Sequence, residues 1–328
     1  MQFEETIKTR VIGVDIDIED TTIAIIDISG NIIAKDRFCI TDYLKASEFV
    51  SALSERIMLL AEANGGYETI RSVGISCASA NFLTGCIENA ANMPWKGRVP
   101  LAAMLRDRLG LAVALGNYGH VTGLGEHAFG SAHGMKDFVV VSLGHGGLGS
   151  CIFSSGQPHL GFNGFAGEVG HACVEPNGRL CGCGRRGCLE EYTTAKGMAQ
   201  TARELLAATS APSLLRGVER ITPSLLADAC SKGDVVAKQV LYQAGTYLGI
   251  GLANYASILN PEAIILTGDI REVGHWMTDS IIESFEMHVF SNIRDHVRLM
   301  ISILNEDDRS VLGAGALAWE VKEYSLFK

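Results

Sequence analysis

The chain has 328 residues, 47% of them hydrophobic, with seven prolines and a formal net charge of −10. That length admits two α/β domains or one large one, and the composition excludes a disordered chain. The acidic balance argues against a nucleic-acid or anionic-membrane surface as partner.

Met1–Arg10 is mostly polar and runs straight into a strand-like segment, so no cleavable leader and a cytoplasmic location are expected. Residues 11–39 predict three strands, broken by a short acidic turn and by Ser29-Gly30. Helical periodicity from Leu44 to Asn64 stops at Gly65-Gly66. Strands are expected at 72–78 and 111–115, separated by a helix whose first turn suits Pro100. After Asp137 the pattern begins again: F-V-V-V-S-L, a glycine-rich turn and S-C-I-F-S-S-G form a second hairpin, and A-I-I-L-T-G (263–268) is a further strand. Gln239 to Asn260 carries no charged residue, but Gln243, Thr246, Asn254 and Ser257 interrupt it and Asp234 and Pro261 bracket it. It reads as a buried core helix, not a membrane span.

The chemistry concentrates in G-E-V-G-H (167–171) and C-G-C-G-R-R-G-C-L-E (181–190). His171, Cys181, Cys183 and Cys188 supply three thiols and one imidazole at loop spacing, a tetrahedral zinc set. Glycines 182, 184 and 187 let the chain close around a small ion. Glu168 and Glu190 are acids that a structural zinc does not need. Carboxylates beside an oriented imidazole suit the vicinal hydroxyls of a polyol. The other six of the nine cysteines lie mostly in apolar contexts, as reduced core thiols do.

G161-F-N-G-F-A-G-E-V-G-H171 followed by the run from Cys181 to Glu190 resembles the signature of the ROK family of repressors, open reading frames and sugar kinases. The resemblance extends from Val11 to about Glu320. It implies a two-domain actin-like or hexokinase-like (ribonuclease H-like) α/β fold, which the paired hairpins also suggest. The expected domains are 1–118 plus 311–328, with a C-terminal helix at about 311–324 returning to the first domain, and 119–310 carrying the zinc loop. By the same resemblance His171 binds zinc and touches a sugar in the inter-domain cleft, Glu168 and Glu190 accept hydrogen bonds from its hydroxyls, and Asn92 and Asn117 are further sugar contacts. A homodimer is implied, with Zn2+ as cofactor; ATP and Mg2+ belong only to a kinase.

Other positions depart from the kinase pattern. The family's catalytic Asp, in a Glu-Asn-Asp-Ala-Asn run, corresponds to Tyr118 in Gly116-Asn117-Tyr118-Gly119-His120. A phenol with a pKa of about 10 does not take a proton at neutral pH as a carboxylate does. His120 is a weak substitute, at about 6–7 Å along an extended chain. Asp15 of the first phosphate hairpin is kept, but Asp17, Ile18 and Glu19 replace Gly-Gly-Thr. The second phosphate loop reads Gly144-His145-Gly146-Gly147-Leu148, and Thr267-Gly268-Asp269 replaces a later triple glycine. The expectation is a sugar-binding ROK protein with a structural zinc and degenerate kinase machinery. The alternative is an active ATP-dependent hexose or N-acetylhexosamine kinase. A third reading is a ROK transcriptional regulator without its DNA-binding domain, since the residues before Val11 are too few for one.

Overall fold

The structure, a computed structural model, describes residues 8–88, 90, 93–144 and 147–321. The chain packs as two compact units. Unit 1 comprises Met1–Gly134, Leu160–Ala166 and Ile303–Lys328; unit 2 comprises Met135–His159 and Gly167–Ser302. The domain boundaries expected at 118/119 and 310/311 fall inside unit 1.

Unit 1 is built on β1 (Arg10–Ile16), β2 (Asp20–Asp27), β3 (Ile32–Cys39), β4 (Ile70–Cys77) and β8 (Ala112–Gly116), in the order β3-β2-β1-β4-β8. The β1–β2–β3 meander is antiparallel, whereas β1–β4 and β4–β8 are parallel. β1 and β2 read as nearly continuous apolar runs because both faces are covered. Ile12, Val14, Ile23 and Ile25 join the core that contains Phe49, Leu53 and Leu105, from α1 (Ala46–Ala63) and α2 (Leu101–Leu109). Val11, Ala24 and Ile26 join a second core with Val311, Leu312 and Ala318. A small antiparallel sheet, β5 (Ala80–Asn81), β6 (Cys86–Glu88) and β7 (Arg98–Val99), was not expected; its strands are too short to show a period-2 pattern.

The helix α3 (Tyr118–Phe129) corrects one expectation. Tyr118 and His120 do not lie on an extended chain: β8 stops at Gly116, and Asn117 caps a helix by accepting from the His120 amide at 2.8 Å.

Unit 2 repeats the plan with β9 (Phe138–Gly144), β10 (Gly147–Ser154), β11 (Gln157–Pro158), β12 (Ala263–Gly268) and β13 (Arg298–Ile301), in the order β11-β10-β9-β12-β13. Its helices are α4 (Glu190–Thr193), α5 (Ala195–Ala208), α6 (Pro223–Ser231), α7 (Val235–Leu259), α8 (Ile270–Val273), α9 (His275–His288) and α10 (Ser291–Arg294). The uncharged stretch follows Lys238 within α7, a helix capped by Asp234, which accepts from the Ala237 amide at 3.0 Å, and ended by Asn260 in the left-handed region. Val240, Leu241, Leu248 and Leu252 of α7 share one core with Met198 of α5, Leu226 of α6 and Ile281 of α9. Enclosure on several sides explains why α7 carries no charge after Lys238. No described helix is long and apolar enough to cross a membrane.

The C-terminal helix α11 (Glu306–Glu320) belongs to unit 1, where the buried Ser72 hydroxyl of β4 donates to Ala318 O at 2.7 Å. It begins earlier than expected because Asn305 caps it, accepting from the Asp307 amide at 3.1 Å. Residues 322–324 of the expected helix lie outside the described residues.

Candidate functional site

Between β11 and α4 the chain forms a loop with little regular structure, held by short-range backbone bonds. The amide of Cys181 donates to Arg185 O at 2.8 Å and that of Gly184 to Cys181 O at 2.9 Å, closing a tight turn. Gly187 has a φ of +78°, and a Cβ there would lie 1.8 Å from Glu175 O, so only glycine fits. The turns bring one donor atom each from His171, Cys181, Cys183 and Cys188 within 4.8 Å of one another. Cys181 Sγ stands 3.7 Å from His171 Nδ1, and Cys183 Sγ stands 3.6 Å from Cys188 Sγ. Such a group could hold a metal ion.

Arg185, which sequence reasoning passed over, supports this set. Its guanidinium donates to His171 O at 2.9 Å. Hydrogen bonds from its amide, and then from its side chain, hold the Cys183 thiol down at about 6. Burial pushes the Cys181 thiol the other way, a direction that a bound cation reverses. Arg179 fastens the loop to α5: its guanidinium donates to Glu191 O at 2.6 Å, Gly197 O at 3.0 Å and Thr201 Oγ1 at 2.9 Å. No local spacing could have announced that role.

Glu190, the first residue of α4, borders the donor set. Its Oε1 lies 2.9 Å from Cys181 Sγ and 3.3 Å from His171 Nδ1. Gly147 sits against the same carboxylate, since a Cβ there would approach Glu190 Oε2 to 3.1 Å. Glu168 is exposed and immediately precedes the short 3-10 turn Val169–His171. Ser150 of β10 anchors that approach by donating to Gly167 O. Glu191 is structural: it is buried and pairs with Lys196 Nζ at 3.2 Å.

The unit 1 residues form a separate group. The Tyr118 phenol donates to Ile16 O at 2.6 Å and lies 3.5 Å from Asp17 Oδ1. Burial, followed by the nearby Asp15 carboxylate, raises its pKa well above the ordinary phenol value. In the hairpin turn the Asp17 amide donates to Asp20 O at 2.9 Å, and the Ile18 amide to Asp17 Oδ1 at 2.7 Å. The turn therefore bonds to itself. Asp15 is pushed up to about 7, chiefly by burial, while the neighbouring Ser76 hydroxyl pulls it down. His120 packs edge-on against Phe82, with ring centroids 5.5 Å apart. Burial lowers its pKa to about 4, and its Nε2 has no hydrogen-bond partner among the described residues. Asn117 uses its side-chain oxygen as the helix cap.

Gly144 ends β9 and Gly147 opens β10. Gly268 ends β12, after which the Asp269 amide is taken by Leu143 O at 2.8 Å. Asn92, His145 and Gly146 lie outside the described residues.

Two mixed α/β sheets and a Cys/His loop define an actin-like α/β protein with a candidate metal centre. The pattern that defines the ROK family matches residues 11–321, so the chain belongs to the ROK family. It is 32% identical to the glucokinase of Halalkalibacterium halodurans over 258 residues, 76% of this chain and 76% of that protein. It is 28% identical to the xylose repressor of Caldicellulosiruptor bescii over 246 residues, 74% of this chain and 60% of the repressor. A ROK family glucokinase from Streptomyces griseus, solved in complex with glucose and AMPPNP, superposes with a TM-score of 0.78 at 28% identity, covering 95% of this chain and 100% of that one.

Proposed function

We propose that this ROK protein binds a sugar beside a structural zinc ion and does not transfer a phosphoryl group to it. The observation that carries the reading is the Tyr118 phenol. It stands where the family resemblance expects the catalytic Asp, and it acts as a half-buried donor to Ile16 O at 2.6 Å. A base must accept the proton of the sugar hydroxyl, and its loss typically removes a factor of about 10²–10⁴ in rate. The hairpin turn supports the same reading. Asp17, Ile18 and Glu19 stand where the resemblance expects Gly-Gly-Thr, and the amides of Asp17 and Ile18 are bonded within the turn.

The donor set fits zinc. A tetrahedron with Zn–S bonds of about 2.3 Å has S···S edges of about 3.8 Å, and the Cys183–Cys188 and Cys181–His171 separations are 3.6 and 3.7 Å. Zinc bound there would fix the loop, and so the approach of Glu168, His171 and Glu190 to sugar hydroxyls. In this reading the protein is a cytoplasmic sugar sensor or binding protein.

The glucokinase relatives favour a second reading, an active ATP-dependent hexose or N-acetylhexosamine kinase. Calorimetry separates the two when a panel of hexoses and N-acetylhexosamines is titrated first and ATP with Mg2+ second. The proposal expects saturable heat with at least one sugar, lost in Glu190→Gln, and no product in a parallel phosphotransfer assay. Product formed at ordinary kinase rates would establish the second reading instead.

A further inference from the structure

Of the six cysteines outside the donor set, Cys77, Cys86, Cys151 and Cys230 are buried and Cys39 is half-buried, but Cys173 is exposed. It lies two residues after His171 and outside the four donor atoms. The backbone nevertheless fixes its neighbour: Cys173 and Cys188 form an antiparallel bridge. The two flanking bonds, Val174 N to Gly187 O at 2.9 Å and Leu189 N to Ala172 O at 2.9 Å, make them a non-hydrogen-bonded pair. In such pairs the side chains project to the same face and the Cα atoms stand about 4.5 Å apart. That separation falls inside the disulfide range of about 4.4–6.8 Å. Cys173 Sγ points to Arg186 O at 3.7 Å, so closing the bridge asks for a side-chain rotation on a backbone pairing that is already in place.

We propose that Cys173 is a resolving thiol for the metal centre: a hydroperoxide oxidises the Cys173–Cys188 pair to a disulfide and the bound ion is released. The balance is complete with hydrogen peroxide as the oxidant. One thiolate sulfur attacks a peroxide oxygen, giving a sulfenic acid and releasing water after protonation. The second thiol then displaces the hydroxyl as a second water, forming the S–S bond. Two electrons leave the sulfur pair and reduce the peroxide. Cys188 Sγ ceases to be a thiolate donor, leaving only His171, Cys181 and Cys183 to hold the ion. The release step rests on the zinc reading given above; the disulfide geometry does not.

The test treats the zinc-loaded full-length protein with hydrogen peroxide, follows release with a chromogenic zinc chelator, and maps disulfides by peptide mass spectrometry without reduction. The expected result is release in step with a Cys173–Cys188 linkage, and re-uptake of zinc after thiol reduction. Cys173→Ser, a change at an exposed side chain outside the donor set, should load zinc normally and release it at least several-fold more slowly. Equal release rates in the two proteins, or a linkage mapped only to Cys183–Cys188, would overturn the proposal. A metal content well below one per chain before peroxide is added would count against the zinc reading alone; the linkage in the metal-free protein then still decides the geometry.

Discussion

The metal loop, whose acids are matched by Arg179, Arg185 and Arg186, and the acidic first hairpin turn use their polar groups in opposite ways. In the loop, four donors converge, and the Glu190 carboxylate borders two of them, Cys181 and His171. In the hairpin, the Asp17 and Ile18 amides are bonded within the turn and the Tyr118 phenol closes on Ile16 O. On the function proposed above, one turn receives a cation, and the other keeps for itself two amides that an anion would need. Membership of a family therefore does not certify every site its fold can carry.

The largest effect should come from breaking the loop. Cys188→Ser removes a ligand and should drop zinc from one per chain toward none, with a large fall in melting temperature. Structural zinc in finger peptides contributes about 10–16 kcal/mol of binding free energy. Metal analysis with calorimetric melting checks this, and full zinc retention would refute the ligand assignment. Gly187→Ala, which places a Cβ 1.8 Å from Glu175 O at a φ of +78°, should cost about 1–3 kcal/mol or more through strain and weaken zinc retention. The same change at Gly182, where a Cβ would meet nothing within 4 Å, is the matched control.

Much of this contrast was legible in the chain itself. Cysteines two and five residues apart with intervening glycines must meet, because the ligands are local. The hairpins and the long uncharged helix followed from apolar runs and end signals. Arg179 was not legible, because its partners on α5 are set by packing. Nor was the helical start at Tyr118: β8 and the glycines after Asn117 mask the cap, and an extended reading placed His120 wrongly. The Cys173–Cys188 pairing needed strand register, which single-sequence patterns do not contain.

Asp15 gives a pH signature for the hairpin. Its carboxyl rises from 3.8 to about 7 on folding, so the native state keeps a proton that the unfolded chain has lost. Stability from this group is complete below the unfolded value, falls as pH rises, and is gone above about 7. Asp15→Asn should gain stability relative to the natural chain as pH increases from 4 to 7, measured by urea midpoints. Parallel curves for the two proteins would remove the shift. A smaller effect is expected from Tyr118→Phe, which loses the bond to Ile16 O and should cost about 0.5–1.5 kcal/mol while leaving sugar affinity unchanged.

The most direct test of the central claim is a coupled phosphotransfer assay with ATP, Mg2+ and the hexose and N-acetylhexosamine panel, run on the natural protein with Tyr118→Asp alongside. Turnover at background is expected for the natural protein, with a sugar bound by calorimetry under the same conditions. Turnover at about 1–100 per second, the range of working kinases, would contradict it.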